Sequence, residues 1–149
     1  MSTSLRASMI ALVGFAFLQL PLYAADEKPK LEGQHQVISG EHDGKAMTPA
    51  ELQGVTFRFT GEKVVGATKN GTAFLTAEYT LDAAKKPCAI TMKLTEGSDK
   101  GKELHGLVER TNDTIRIIYA GPGAPAPTEF KTKLNQAMYT LKAESNNKK

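Results

Sequence analysis

The sequence predicts an all-β protein: an eight-stranded antiparallel up-and-down barrel with one short helix between strands 1 and 2. Three observations predict it. About eight short segments alternate apolar and polar residues, turns rich in Gly, Asn or Asp separate them, and no helix is long enough for a crossover. Tight turns favour antiparallel neighbours, and eight such strands can close without leaving an edge. A two-sheet sandwich is the competing architecture.

The N-terminal residues predict export. Arg6 precedes an apolar run over residues 7–22, and Tyr23-Ala24 ends the segment, so residues 1–24 are predicted to be a cleaved signal peptide. Gly14 and Pro21 interrupt the run, which is short for a stable membrane span. We expect a periplasmic or extracellular protein with no integral membrane span after cleavage. A linker over 25–30, a barrel domain over 31–144 and a disordered tail over 145–149 follow.

The helix is predicted at the start of the second structured segment, after a first strand over Gly33–Glu41 and a turn over His42–Lys45. Thr48 can cap it, Pro49 suits the first helical position, Glu51 completes a capping box, and Gly54 ends it. The helix is about two turns long at most, so it needs tertiary contacts to persist.

The remaining strands follow from alternation and turn chemistry. Asn70-Gly71 is the strongest hairpin signal, because both residues accept positive φ. Residues 121–127 (GPGAPAP) cannot form a strand, because three prolines remove backbone donors. Strands are predicted over 55–60, 63–68, 72–81, 88–94, 104–108, 115–119 and 137–143.

Composition excludes several classes of function. The net charge of the 149 residues is +3 with charges interspersed, which is too weak to indicate nucleic acid or an anionic membrane as partner. Cys88 is the one cysteine, so no internal disulfide forms, and its phase with Ile90 predicts a buried thiol.

Catalytic and metal-binding patterns are missing from the sequence. It contains no nucleophile elbow, paired metal-binding histidines or phosphate loop. His42 lies between Glu41 and Asp43, but a zinc site needs three or four converging ligands. We therefore predict no enzyme activity, no cofactor and no metal site.

Several short segments carry a family resemblance in their order and spacing. Residues 31–144 resemble a lipocalin-like domain of unknown function that is abundant in exported planctomycete proteins. His35 stands where the family tends to have Trp, and Ala126 where it has Arg, so a barrel-closing Trp–Arg stack is absent. The resemblance implies a lipocalin-like barrel and a binding habit, with no catalytic residues. The segments are LEGQHQVISGEHDGK, LQGVTFRFTGEKV, AEYTLDAAKKPCAITM, TEGSDKGKELHGLVE, NDTIRI and APTEF.

The inward faces of the predicted strands supply a candidate ligand site. Three phenols among apolar side chains suit a small lipophilic molecule with one polar end, and Arg110 at the barrel rim suits a ligand carboxylate. Alternatively the same side chains fill a dry core, and the protein is a structural or interaction module acting through the loop over 121–127. A hydrolase, or an inhibitor of one, is a third hypothesis. The predicted ligand-binding residues are Tyr79, Tyr119, Tyr139, Arg110, Phe57, Phe59 and Met92.

Overall fold

The computed structural model describes residues 27–144, which form nine strands and one helical turn. The predicted leader, residues 25–26 of the linker and the tail over 145–149 lie outside the described residues. The elements are β1 (Gly33–His42), β2 (Lys45–Ala46), α1 (Pro49–Leu52), β3 (Thr56–Thr60), β4 (Lys63–Ala67), β5 (Ala73–Asp82), β6 (Cys88–Leu94), β7 (Glu103–Thr111), β8 (Thr114–Ala120) and β9 (Gln136–Ala143).

The eight longer strands close into a barrel. Each of β3 to β8 pairs antiparallel with the next strand in the chain, β1 pairs with β3 on one side, and β9 closes the ring on the other side of β1. The predicted eight-stranded up-and-down barrel is therefore confirmed, and the closing pair excludes a two-sheet sandwich. The two-residue strand β2, which extends the sheet beside the end of β1, was not predicted.

Local signals explain most of the connections. The predicted capping box begins α1: Thr48 Oγ1 accepts the Glu51 N–H at 3.3 Å, and Glu51 Oε2 accepts the Thr48 N–H at 2.7 Å. The helix is one turn rather than two, because the backbone of Gln53, at φ −59° and ψ 121°, is no longer helical. The Asn70-Gly71 hairpin is also confirmed, with Gly71 at φ +79° and Thr68 N–H donating to the Thr72 carbonyl at 2.9 Å.

Two β-bulges interrupt the alternation. In β1 the partners of Leu141 and Thr140 are Val37 and Ser39, so Ile38 is the extra residue. In β5 the pairing skips Phe74 in the same way. A bulge moves the next side chains to the opposite face, so strict alternation fails at both positions.

Apolar side chains fill the barrel interior. Every long strand except β1 contributes at least one apolar side chain with 0–1% exposure, and β1 contributes His35 at 2%. Gly106 is required where β7 and β8 approach each other, because a Cβ there would lie 2.0 Å from the Ile118 carbonyl oxygen. The fully buried interior residues include Phe57, Phe59, Val64, Ala77, Ile90, Met92, Val108, Ile115, Ile117 and Leu141.

The two ends of the barrel are built differently. At the closed end lie residues 27–32, the two-residue turns at 61–62 and 112–113, and the connection over 83–87. At the helix end lie β2, α1 and the connections over 68–72, 95–102 and 121–135. We call residues 121–135 the strap. It covers the outer face of β7 and β8, because Phe130 stacks 4.4 Å from Arg116 and Ile118 is fully buried on that face.

Candidate binding site at the helix end

The predicted ligand-binding residues divide between the two ends. Phe57 and Tyr119 lie beside Tyr139 at the helix end, with ring centroids 5.1 Å and 6.3 Å from it. Phe59 and Tyr79 contact each other toward the closed end at 5.5 Å, as an edge-to-face pair. Met92 is fully buried in the interior between the two ends, and Arg110 belongs to the closed end. The structure therefore does not bring the seven residues to one cavity.

The helix end carries an aromatic cluster that sequence reasoning identified only in part. Phe74 joins Phe57, Tyr119 and Tyr139, with its centroid 5.6 Å from Phe57 and 6.1 Å from Tyr139. We call these four residues the mouth cluster. Phe74 keeps 42% of its surface exposed. Strict alternation assigns Phe74 to the outer face, and only the bulge in β5 brings its ring over the mouth. The adjacent apolar residues Phe74 and Leu75 break the alternation of β5, and this break was the sequence signal for the bulge.

The two tyrosines of the mouth cluster influence each other's ionisation. Burial raises the pKa of Tyr119 well above its usual value, and the neighbouring Tyr139 raises it further. Burial also raises the pKa of Tyr139, while its interaction with Tyr119 opposes the rise. Both phenols are therefore neutral near pH 7, and each remains a hydrogen-bonding group.

A small open cavity lies beside this tyrosine pair. Its volume is about 260 Å³, and no Lys, Arg, Asp or Glu lines it. Uncharged hydrogen-bonding side chains and aromatic rings therefore form its walls. The lining residues are His42, Tyr119, Gly121, Asn135, Gln136, Ala137 and Tyr139.

Hydrogen bonds tie the strap to the turn between β1 and β2, behind one wall of this cavity. Glu41 Oε1 accepts both the N–H and the hydroxyl of Thr132, at 3.0 and 2.5 Å. Thr132 Oγ1 accepts the Gly44 N–H at 2.8 Å, and Asp43 Oδ1 accepts the Asn135 N–H at 2.6 Å. We call these five residues the latch. The bonds from the Thr132 hydroxyl and N–H lower the pKa of Glu41 below its usual value of 4.5.

A second depression lies between β1 and α1. Its volume is about 390 Å³, no charged residue lines it, and Ile38 at its edge is 54% exposed. Met47 and Leu52 pack here over Gly40, where a Cβ would meet their side chains at 2.8 and 3.0 Å. The same Cβ would lie 3.3 Å from the Tyr139 ring. Met47 and Leu52 therefore cover the mouth cluster from the side of the helix.

The closed end is sealed. Leu31 is 2% exposed, and its carbonyl oxygen lies 2.7 Å from His35 Nε2. The His35 ring meets Phe59 edge to face at 5.9 Å, so it occupies the base of the barrel. The Tyr79 hydroxyl donates to the Gly61 carbonyl at 3.1 Å. These contacts join the N-terminal segment and the β3–β4 turn to the barrel floor.

Arg110 takes part in this seal. Its Nη1 donates to the Lys30 carbonyl at 2.5 Å, and its Nε donates to the Asn112 carbonyl at 2.9 Å. Its position at a rim agrees with the sequence, but that rim is the opposite one from the mouth cluster. In this structure the guanidinium holds the N-terminal segment. Its binding of a ligand carboxylate stays a prediction.

Other reactive groups are scattered. Among residues 27–144, no group of three His, Cys, Asp or Glu side chains is placed to hold a metal ion. Cys88 is partly buried, and burial followed by the negative charge of Asp82 raises its pKa. A raised pKa lowers the fraction of nucleophilic thiolate near neutral pH.

Comparison with known proteins finds no family model, no curated sequence and no solved structure that matches the chain. The resemblance to the lipocalin-like planctomycete domain stays a prediction from the sequence motifs. No helix within residues 27–144 has the length and apolar character needed to cross a membrane.

Proposed function

We propose that the protein is exported and acts by binding rather than by catalysis, as a lipocalin-like barrel with a filled interior and a recognition surface at the helix end. The filled interior is the observation that carries this proposal. A void large enough for water would leave accessible surface on the side chains around it, yet Phe57, Met92 and Ile117 have 0% exposure. A ligand cannot enter such an interior without displacing side chains.

The difference between the ends supports the helix end as the recognition surface. Phe74 and Ile38 expose large apolar side chains there, beside the two depressions of about 260 and 390 Å³. Exposed apolar groups next to concave surface mark interaction sites more often than filled, hydrogen-bonded ends do. Long connections also gather at this end, and binding residues concentrate on such loops.

A small lipophilic ligand in the barrel mouth is the second candidate function. It is favoured by the apolar cover that Met47, Leu52 and Phe74 place over Phe57 and Tyr139. The helix α1 is a single turn held by its capping box, so little structure has to move for the cover to open. A ligand would then pack against the Phe57 and Tyr139 rings in place of the covering side chains.

Affinity capture with the mature chain tests the proposed surface. The bait is residues 25–149, and the prey is an envelope extract of the host. We expect one or more partners that Phe74→Ala removes and that Leu134→Ala retains. Leu134 is 73% exposed and apolar and lies in the strap at the same end, outside the mouth cluster, so it separates the mouth cluster from the rest of the helix end. Equal capture by all three baits would contradict recognition through the mouth cluster.

Native mass spectrometry of protein purified from its host separates the two candidates. The filled-barrel proposal expects the bare mass of the mature chain. A retained lipophile, released by unfolding and identified by its mass, would contradict it and favour carriage. The same spectrum tests export: a chain beginning at Ala25 is expected, and a chain recovered with its leader in the cytoplasm would contradict the exported part of the proposal.

A further inference from the structure

The helix-end cavity restricts the size of any ligand. Its volume of about 260 Å³ is below the range of roughly 300–1,000 Å³ that is usual for drug-sized ligands. The fully buried Phe57 lies behind Tyr139, so the cavity does not continue into the barrel. A single substituted ring fits this space better than an acyl chain does, since an acyl chain needs depth.

Charge restricts the ligand further. No Lys, Arg, Asp or Glu lines the cavity, and its one imidazole, His42, faces the carboxylate of Asp43. The carboxylates of Glu41 and Asp43 lie behind the wall and disfavour an anionic ligand, and no Lys or Arg in the lining can pair with one. Both carboxylates already accept hydrogen bonds from the strap, and Asp43 also pairs with His42 at 3.0 Å. An uncharged ligand is therefore the one that the electrostatics favour.

The remaining features match hydroxyl groups on a ring. The residues that line the cavity include Tyr119, Tyr139, His42 and Asn135, whose phenol, imidazole and carboxamide groups between them donate and accept hydrogen bonds. A hydroxyl group on a ligand likewise donates and accepts hydrogen bonds. The Tyr119 and Tyr139 rings are inclined by 31° and add an apolar wall for the C–H face of a saturated ring.

We propose that this cavity binds an uncharged, hydroxylated six-membered ring, the chemistry of one neutral sugar residue. The ring is a free monosaccharide or the terminal residue of an oligosaccharide. This inference rests on the proposed binding function and names its ligand class. It differs from carriage of a lipophile in the barrel, because the ligand stays at the mouth and leaves the core packed.

Ligand-observed NMR and calorimetry with the mature chain test the proposal. The neutral probes are the methyl glycosides of glucose, galactose and mannose, together with a trisaccharide of glucose. Glucuronate is the charged probe, and anilinonaphthalene sulfonate is the lipophilic one. We expect at least one neutral glycoside to bind, with glucuronate weaker by about tenfold or more, as one charge conflict predicts. Binding of the trisaccharide distinguishes a terminal residue from a free monosaccharide, and either result supports the class.

Two tyrosine variants locate the binding. Tyr139→Phe removes one hydroxyl from the cavity and keeps the ring, and we expect it to weaken the glycoside by about tenfold, the usual effect of one lost hydrogen bond. Tyr79→Phe makes the same change at the closed end, where the hydroxyl bonds to Gly61, and we expect affinity within about twofold of the parent. Equal affinity in both variants overturns the proposal, and so does the absence of binding by every neutral probe.

The failures of the two proposals are distinguishable. If no sugar binds while Phe74→Ala still removes a captured partner, the helix end is a recognition surface and only the ligand class is wrong. If no sugar binds and capture is the same with every bait, the proposed function also fails. A third outcome is that anilinonaphthalene sulfonate binds, no neutral sugar binds, and Tyr139→Phe lowers the affinity for the dye. A lipophilic ligand then replaces a sugar as the ligand class of this cavity.

Discussion

The closed end and the helix end of this barrel use the same strands in different ways. At the closed end, two of the three connections are two-residue turns, and Leu31, His35 and Phe59 seal the floor with buried contacts. At the helix end, the connections are longer and hold β2, α1 and the strap. The first arrangement stabilises the barrel, and the second leaves Phe74 and Ile38 in contact with solvent.

In a filled barrel of this kind, stability and recognition depend on different ends of the molecule. Packed side chains cannot move without cost, so recognition has to use a region whose contacts are few and local. The helix end meets that condition: a one-turn helix and a latch of hydrogen bonds hold it, rather than a continuous core. Substitutions at the closed end are therefore expected to change stability, and those at the helix end to change binding.

The largest expected effect is on the floor. Phe59→Ala removes a ring that is 1% exposed, and we expect the free energy of unfolding to fall by about 3–5 kcal/mol because a cavity remains. Urea denaturation followed by circular dichroism measures the change. If the variant is too unstable to purify, Phe59→Leu provides a milder version with a smaller loss. Full stability in either variant would show that the floor is not packed as described.

The N-terminal seal is the next test. We expect Leu31→Ala to lower the free energy of unfolding by about 2 kcal/mol, near the small end for buried leucines, because the flanking segment can adjust. Faster hydrogen exchange of the amides around residues 30–32 should accompany the loss. Unchanged exchange and stability would mean that Leu31 does not close this end, and the contrast between the ends would weaken.

The latch gives a smaller, pH-dependent effect at the helix end. Hydrogen bonds lower the folded-state pKa of Glu41, so its stabilisation is fully present above about pH 4.5 and is lost as the pH falls through the lower folded value. Glu41→Gln should cost about 1 kcal/mol at neutral pH and reduce the acid-induced fall in Tm. Thermal scans between pH 3 and 7 compare the two proteins. Parallel curves would contradict a role for the Glu41 carboxylate.

Phe74→Ala should have the smallest effect on stability and a clear effect on binding. Its ring is 42% exposed and rests on the other rings of the mouth cluster, so we expect less than about 1 kcal/mol of lost stability. Urea denaturation beside Phe59→Ala provides the direct comparison of two phenylalanines at opposite ends. A loss as large as that of Phe59→Ala would place Phe74 in the core and remove the distinction between the ends.

Much of the fold could be predicted from residues with strong local meaning. Asn70-Gly71 lies in its hairpin turn because Gly71 adopts positive φ, while Asn70 does not. Thr48 and Glu51 begin the helix because their side chains satisfy its first donors, and Pro49 suits its first position. Phe57, Phe59 and Met92 were predicted to point inward from alternation, and all three are fully buried. Such signals act over a few residues, so they survive without knowledge of the whole chain.

The candidate site was predicted less well, for a geometric reason. Alternation assigns Phe57, Tyr79 and Tyr139 to one interior, but it does not give their height along the barrel axis. Height depends on strand register, which long-range pairing sets. Phe74 was missed because the bulge in β5 changes its face. The latch was missed because Glu41 and Thr132 are far apart in sequence and meet only through the closing of β9 on β1.

Local patterns in the chain are enough to predict the strands, their turns and the apolar interior, because periodicity and turn chemistry are properties of short segments. The folded barrel alone shows that the interior is filled and that one end is sealed while the other is accessible. Filling depends on the summed volume of side chains from all eight strands, and the two ends differ through contacts between residues distant in the chain. Neither quantity is present in any local pattern.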